Sequence, residues 1–404
     1  MNILVLSQTY YPDTVATAQL LSDLCLELDK KGHTITVVTS KYSYENKKIK
    51  YAKTETQGKN IQIKRLNDTG FGKNNVLARI LDFASYICLS IWFLLFLKPK
   101  KYDVVIGMTS PPLISFFIAA FKKWKKYKLF YWTMDLQPEL AIESGLIKKG
   151  GIVAKFFTFL GNYTFKKADK IGVLDVYMKN YCISRGVSEK NIEIVTLWSV
   201  LMDEYTGTRA QNPFRVEKAF GEKIVVMYSG NHSYVHSLDT LLQAILQLQH
   251  DERFLFVFVG GGVRKQDVTN FKEKHNLQNI VQYPYQPRNY IHISLAASDF
   301  QVVIMGEGQV GYTHPNKIYG ALFVGKPILY VGPAKSHVTD ILQTSAGNIL
   351  VRHNDSQRIV NQLKPYADNL NKAQEVGKKN KEYALKYFEP QLLKNKIVEF
   401  IEQI

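Results

Sequence analysis

Two segments of this chain open in the same way. Asn2–Pro12 (NILVLSQTYYP) is an apolar run that feeds a loop and then a helical stretch closed by Lys31-Gly32-His33. Lys223–Ser233 (KIVVMYSGNHS) repeats that plan in the second half. An apolar run without polar alternation, followed by a small-residue loop and a helix, is how a parallel strand covered on both faces enters a βαβ unit. The repeat predicts an α/β fold of two doubly wound, Rossmann-like domains. Ligands of open α/β sheets bind beyond the carboxyl ends of the strands, so two such domains are expected to face one cleft and to bring two substrates together.

A length of 404 residues lets each domain bury its own core, and 46% hydrophobic with 22% charged residues excludes a disordered chain. The net charge of +17 favours a polyanionic partner: nucleic acid, a phosphate-rich ligand or an anionic membrane surface. No nucleic-acid module or aromatic stacking platform is present, so nucleic acid is not expected. Cys25, Cys88 and Cys182 fall singly in apolar segments without metal-ligand spacing and read as buried thiols of a reducing cytoplasm. The first residues form a strand rather than a basic region and an apolar core, so no cleaved signal peptide is expected, and the chain is placed in the cytosol or on the inner face of its membrane.

Helical periodicity runs from Val15 to Lys31, and Thr34–Thr39 (TITVVT) is a β-branched strand. Lys41–Lys59 reads as a long polar loop. Strands follow at Ile61–Leu66, Val104–Met108 and Leu129–Trp132, with helices at Asn75–Leu97 and Pro112–Trp124. Ile171–Leu174 and Ile192–Thr196 finish the first sheet. The expected boundaries are a first domain over 1–200, a linker over 201–221, a second domain over 222–385 and a terminal helix over 386–404. Strands of the second domain are expected at Phe254–Val259, Ile280–Gln282, Phe300–Ile304, Pro327–Val331 and Ile349–Val351, with helices Leu370–Tyr387 and Pro390–Gln403 at the end.

Three strand ends of the second domain carry anion-binding chemistry. Ser229-Gly230-Asn231-His232 follows its first strand, where glycine lets backbone N–H groups approach an anion. Gly260-Gly261-Gly262 is a second permissive turn; either alone is an ordinary βα turn, and their shared position gives them weight. His314-Pro315-Asn316-Lys317-Ile318-Tyr319 then opens a helix that runs into Gly325-Lys326-Pro327. Lys317 sits in the first helical turn, where the helix dipole disfavours a cation, so an anion beside it would resolve the conflict.

These segments, with Ser110-Pro111-Pro112 and Asp135–Glu139, resemble retaining GT-B glycosyltransferases of the large family 4. The narrower resemblance is to the branch of fucosyl and N-acetylfucosaminyl transferases of bacterial colanic acid and O-antigen assembly. It implies a second domain that holds a nucleotide-diphospho-sugar, UDP-linked by default, and a first domain that holds the acceptor, with the last helices packing back toward the first domain. Gly230 and Asn231 would approach the diphosphate, Lys317 would neutralise it, and Tyr283–Pro287 would lie near the nucleobase, with Gly262 and Tyr285 among the donor contacts. Pro315, Asn316 and Tyr319 belong to the same motif, and Tyr11, Thr14 and Thr17 to the acceptor loop. Fixed cations and helix N-termini would stabilise the leaving diphosphate, so neither metal nor cofactor is expected. The family's paired glutamates are absent: Glu307 corresponds loosely to the first, and Gly320 stands in place of the second. Asn231 and His236 replace two usual cations, which puts more weight on Lys317, Arg264 and His232.

Asp135 and Glu139, on a loop after a strand, could orient or deprotonate an acceptor hydroxyl. Ile80–Leu97 approaches the length of a membrane span, yet it lies between two strands of one sheet. A buried core helix and an interfacial helix are the two alternatives. Lys122–Lys128 (KKWKKYK) adds a basic-aromatic patch that favours an anionic membrane surface and a lipid-diphosphate-linked sugar acceptor. A sugar-nucleotide epimerase and a catalytically silent binding subunit remain alternatives to a transferase.

Overall fold

The computed structural model describes residues 1–72, 76–201 and 203–404; Asn75, where a helix was expected to begin, and Met202 of the expected linker lie outside them. The chain forms two compact units. The first comprises Met1–Trp198, Gly311–His314 and Pro390–Ile404, the second Ser199–Val310 and Pro315–Glu389.

In the first unit, β1 (Asn2–Leu6), β2 (Thr34–Ser40), β3 (Thr54–Gln57), β4 (Ile61–Leu66), β5 (Val104–Met108), β6 (Lys128–Trp132), β7 (Lys170–Val173) and β8 (Ile192–Ile194) form one sheet. Its order is β3-β4-β2-β1-β5-β6-β7-β8. β3 alone runs antiparallel; it falls inside the stretch expected to be loop, since its polar sequence TETQ carries no apolar alternation. The central strands are apolar throughout because helices cover both faces.

The helices of this unit are α1 (Ala16–Lys30), α2 (Val76–Leu95), α3 (Ile114–Lys125), α4 (Glu139–Glu143), α5 (Ile152–Lys167) and α6 (Val176–Ser184). α2 crosses from β4 to β5 and packs Tyr86 and Leu94 against Leu4, Leu6, Val38 and Val105. Tyr86 also donates its hydroxyl to Val38 O at 2.8 Å. Its carboxyl end is closed by Lys125, whose Nζ donates to Leu95 O and Leu97 O at 2.6 and 2.7 Å. One residue of the basic run is thus a buried cap rather than a surface charge. Leu77–Leu95 is long and apolar enough to cross a membrane, and only 22% of that window is buried, so it is not the buried core helix that was one of the two expectations; its two flanking strands nevertheless share a sheet. Cys88 on this helix is exposed, contrary to expectation, because it lies on the face away from the core.

In the second unit, α7 (Pro213–Glu217) precedes six parallel strands: β9 (Ile224–Ser229), β10 (Phe254–Val259), β11 (Ile280–Tyr283), β12 (Phe300–Ile304), β13 (Ile328–Val331) and β14 (Ile349–Val351). Their order, β11-β10-β9-β12-β13-β14, reverses direction between β9 and β12. That switch point opens a crevice at the strand carboxyl ends. The helices are α8 (Asp239–Gln247), α9 (Lys265–Lys274), α10 (Ile291–Ala296), α11 (Lys317–Phe323), α12 (His337–Gln343), α13 (Ser356–Asp368) and α14 (Leu370–Tyr387). The last helix, α15 (Pro390–Glu402), packs on α1 in the first unit.

The segment expected to be a linker folds as part of the second unit. Asn212 caps α7 by accepting from Arg215 N at 3.1 Å, and Phe214 and Arg215 are buried. Arg209 Nε and Arg215 Nη1 lie 2.7 and 3.3 Å from the two Asp299 oxygens, and Val225 N donates to the same carboxylate at 2.8 Å.

Candidate functional site

At the switch point of the second unit, two glycine loops interlock. Gly260 has φ 126°, and a Cβ there would stand 2.2 Å from Gly230 O. Gly262, also at φ 126°, would place a Cβ 2.3 Å from Asn231 Oδ1 and 2.6 Å from His232 O. Only glycine permits this approach. The loops are stitched together by His232 N donating to Gly261 O at 2.8 Å and Arg264 N donating to His232 O at 3.0 Å. Tyr285, exposed at the rim, donates its hydroxyl to Gly261 O at 3.2 Å.

Lys317, the first residue of α11, reaches this cradle. Its Nζ donates to Asn231 O at 3.0 Å and lies 3.5 Å from the centre of the Tyr228 ring, and a Cβ on Gly230 would come within 2.9 Å of its Cε. His232 Nε2 and Asn316 Oδ1 are buried without a hydrogen-bond partner, as groups set aside for a ligand would be. Burial, reinforced by the Lys317 charge, pushes the His232 imidazole down to about 4 and His236 to about 3, so both are neutral at pH 7. Lys317 is itself partly exposed, yet the protein mass around its head group strips enough water to hold its ammonium well below the ordinary lysine range. A neighbouring anion reverses that penalty.

A pH dependence follows from this. A diphosphate bound beside Lys317 would raise its pKa from the depressed value in the free protein, so such binding is expected to take up a proton at any pH between the two values. Affinity is full below the free-state pKa and declines by about tenfold per pH unit until the bound-state pKa is passed. Calorimetry of UDP binding in buffers of different ionisation enthalpy, above pH 7 where the phosphates no longer titrate, reads this uptake; equal heats in all buffers would contradict it.

The other expected donor contacts divide. Pro315 is buried, and Arg264 lies 3.5 Å from Asp267. Tyr319 is not at the crevice: its ring is buried against Phe388 with a centroid separation of 5.0 Å, because helical spacing turns it into the core. Glu307 holds its place after β12, but Arg352 Nε and Nη2 each lie 3.2 Å from one of its oxygens.

In the first unit, Asp135 follows β6 and is exposed, accepting from the Thr313 hydroxyl. The protein mass around it lifts its carboxyl above the usual range, against the pull of Thr313 and of the His314 charge. Beside it, His314 Nδ1 lies 3.0 Å from Asp175 Oδ2, and both side chains are buried. Sequence reasoning missed this pair, which no local pattern links across the chain. Glu139 is not free to act on an acceptor: it accepts from the Tyr181 hydroxyl and faces Arg185 at 3.7 Å. In the expected acceptor loop, Tyr11 and Thr14 are exposed and Thr17 is half-buried. Buried Asp13 pins the loop by accepting from Tyr44 N at 3.0 Å and the Tyr51 hydroxyl at 3.1 Å.

No protein-family model matches the chain. Probable glycosyltransferase WbjE of Pseudomonas aeruginosa is 23% identical over 245 residues, which cover 61% of this chain and 61% of that protein. The match therefore spans only part of either length. Among solved structures, sucrose-phosphate synthase from Thermosynechococcus elongatus superposes with a TM-score of 0.78 at 12% identity, covering 100% of this chain and 98% of the other. The chain has the GT-B fold. Two further GT-B structures agree: Anabaena HepE in complex with UDP-glucose, with a TM-score of 0.71 at 12% identity and full coverage of both chains, and the lipopolysaccharide glycosyltransferase WaaG, with 0.71 at 13% identity and 99% coverage of each. Among the described residues of this GT-B chain, no group of three His, Cys, Asp or Glu side chains is placed to hold a metal ion.

Proposed function

We propose that this protein is a retaining, metal-independent glycosyltransferase. It moves a sugar from a nucleotide-diphospho-sugar to a lipid-linked acceptor at the inner face of the cell membrane. The observation that carries the reading is the cradle of Gly230, Gly260–Gly262 and Lys317 at the switch point of the second sheet. Backbone glycines and one desolvated lysine are what a diphosphate leaving group requires, and fixed donors there supply the charge stabilisation of the transfer step. HepE, of the same fold, binds UDP-glucose, and WbjE is named a probable glycosyltransferase. The fucosyl or N-acetylfucosaminyl assignment rests on sequence resemblance. The test is nucleoside diphosphate release from a panel of nucleotide sugars, with and without extracted lipid-linked sugar intermediates. Release that requires the lipid extract supports transfer, and none with any donor rejects it.

The membrane part of the reading rests on the helical layer of the first unit. α2 and α5 both pack on α3 and leave apolar stripes outward. Trp92 is 63% and Phe96 69% exposed on α2 and just beyond it, and Ile152, Phe156 and Phe159 are exposed on α5. Lys98, Lys100, Lys123 and Lys155 are exposed nearby in sequence, the pairing of apolar area and basic charge that an anionic bilayer takes up. Trp92→Ser with Phe96→Ser is expected to weaken sedimentation with phosphatidylglycerol vesicles about tenfold or more. Undiminished sedimentation would remove the membrane from the reading.

A further inference from the structure

The first unit has a second strongly charged place, at the opposite edge of its sheet from Asp135 and the acceptor loop. Lys128 opens β6, Lys170 opens β7, and Asn191 immediately precedes β8, so this place lies at the amino ends of the strands. There an open cavity of about 470 Å³ is lined by Lys122, Lys128, Lys166, Lys167, Lys170 and Lys190. One side-chain carboxylate stands among them: Asp169 lies 2.6 Å from Lys122 Nζ and 3.6 Å from Lys128 Nζ, and also accepts from Leu129 N at 2.7 Å. Ile404, whose backbone carboxylate adds a second negative charge, also lines the cavity. Lys167 and Lys170 set their head groups against the Tyr163 and Phe400 rings, at 5.6 and 4.7 Å from the centroids. Among the described residues no carboxylate pairs with Lys166, Lys167, Lys170 or Lys190.

Six ammonium groups outnumber the Asp169 and Ile404 carboxylates beside them and repel one another, and a concave wall focuses their field. Fold stability alone gives no reason to gather them here: the nearby acids Glu189 and Glu193 pair instead with Lys179 and Lys396. The arrangement offers several charge-assisted donors to one ligand with several anionic oxygens. We propose that this cavity binds a cluster of phosphates, carried either by a soluble polyphosphate or by an anionic lipid headgroup. The site is distinct from the donor crevice, and the proposal does not rest on the transferase reading.

The test uses the full chain carrying Lys317→Ala, so that the donor crevice does not contribute. Tripolyphosphate binding is measured by calorimetry at low and moderate salt. Lys166→Gln, Lys167→Gln and Lys170→Gln together are expected to weaken it about tenfold or more, with the loss shrinking as salt rises. The corresponding arginine triple is expected to keep it. Lys372→Gln, Lys378→Gln and Lys379→Gln, at exposed positions of α14, remove the same charge elsewhere and are expected to leave it unchanged. No binding, or equal loss in the two glutamine triples, overturns the proposal. Sedimentation with phosphatidylglycerol vesicles distinguishes the sources once tripolyphosphate binding is established. Vesicle binding lost in the cavity triple assigns the lipid headgroup, and vesicle binding retained assigns the soluble anion.

Discussion

In Lys317→Ala, nucleoside diphosphate release from the preferred nucleotide sugar falls by about a hundredfold to a thousandfold, the usual cost of removing a charge-stabilising group from a transfer site. The same change leaves the folded protein as stable as before or slightly more so. The reason is that among the described residues the lysine meets no carboxylate in the free crevice: its donor contact is one backbone carbonyl, and its ammonium is disfavoured by the protein around it. A residue that costs stability and supplies function is the signature of a working group rather than a structural one. Lys317→Arg keeps the charge but cannot sit in the same way over the Tyr228 ring, and is expected to recover only part of the activity. Steady-state release and thermal unfolding, measured together, check both halves. Activity within a few-fold of the parent would detach Lys317 from the diphosphate.

The second large effect concerns folding. Arg215→Ala is expected to destabilise the second unit by about 3–5 kcal/mol, because it leaves the buried Asp299 carboxylate short of a partner and opens space beside Phe214. Arg209 still reaches Asp299 but comes from a more exposed position, so it compensates only in part. Urea unfolding of the intact chain reads the difference. If residues 201–221 acted as a tether outside the fold, the midpoint would not move.

What the sequence revealed depended on whether a residue's partners are local. Phe254–Val259 and Thr34–Ser40 were plain because an unbroken apolar or β-branched run has few other places to go than a covered parallel strand. The glycine turns and the helix opening at Lys317 were legible for a similar reason, since each breaks a local rule. The strand Thr54–Gln57 was hidden because it pairs antiparallel at an edge, where one polar face satisfies it. α7 was hidden because its five residues are too few for periodicity, and its purpose lies in Asp299, far along the chain. Glu139 looked like a candidate base until Tyr181 and Arg185 came to its side, and Tyr319 looked like a ligand contact until Phe388 covered it. Lys125 inside a basic run gave no sign that it closes α2. For Glu139, Tyr319 and α7 the deciding contact comes from a side chain that no pattern in the immediate sequence names, and for Lys125 from two backbone carbonyls about thirty residues away.

The strands at the margins of the two sheets are all short: β3 and β11 have four residues, β8 and β14 three. A neighbouring molecule that tried to extend either sheet would therefore find too few free backbone groups in a row to hold it. The protection matters most for FLFVFV in β10, an uncharged six-residue stretch of the kind that seeds fibrils when bared. It is shielded on one side by β9 and on the other by β11 alone. Loosening those four residues of β11 would thus convert a folded protein into a self-templating one, and shelf life at high concentration should track the security of that single margin more closely than the stability of either core.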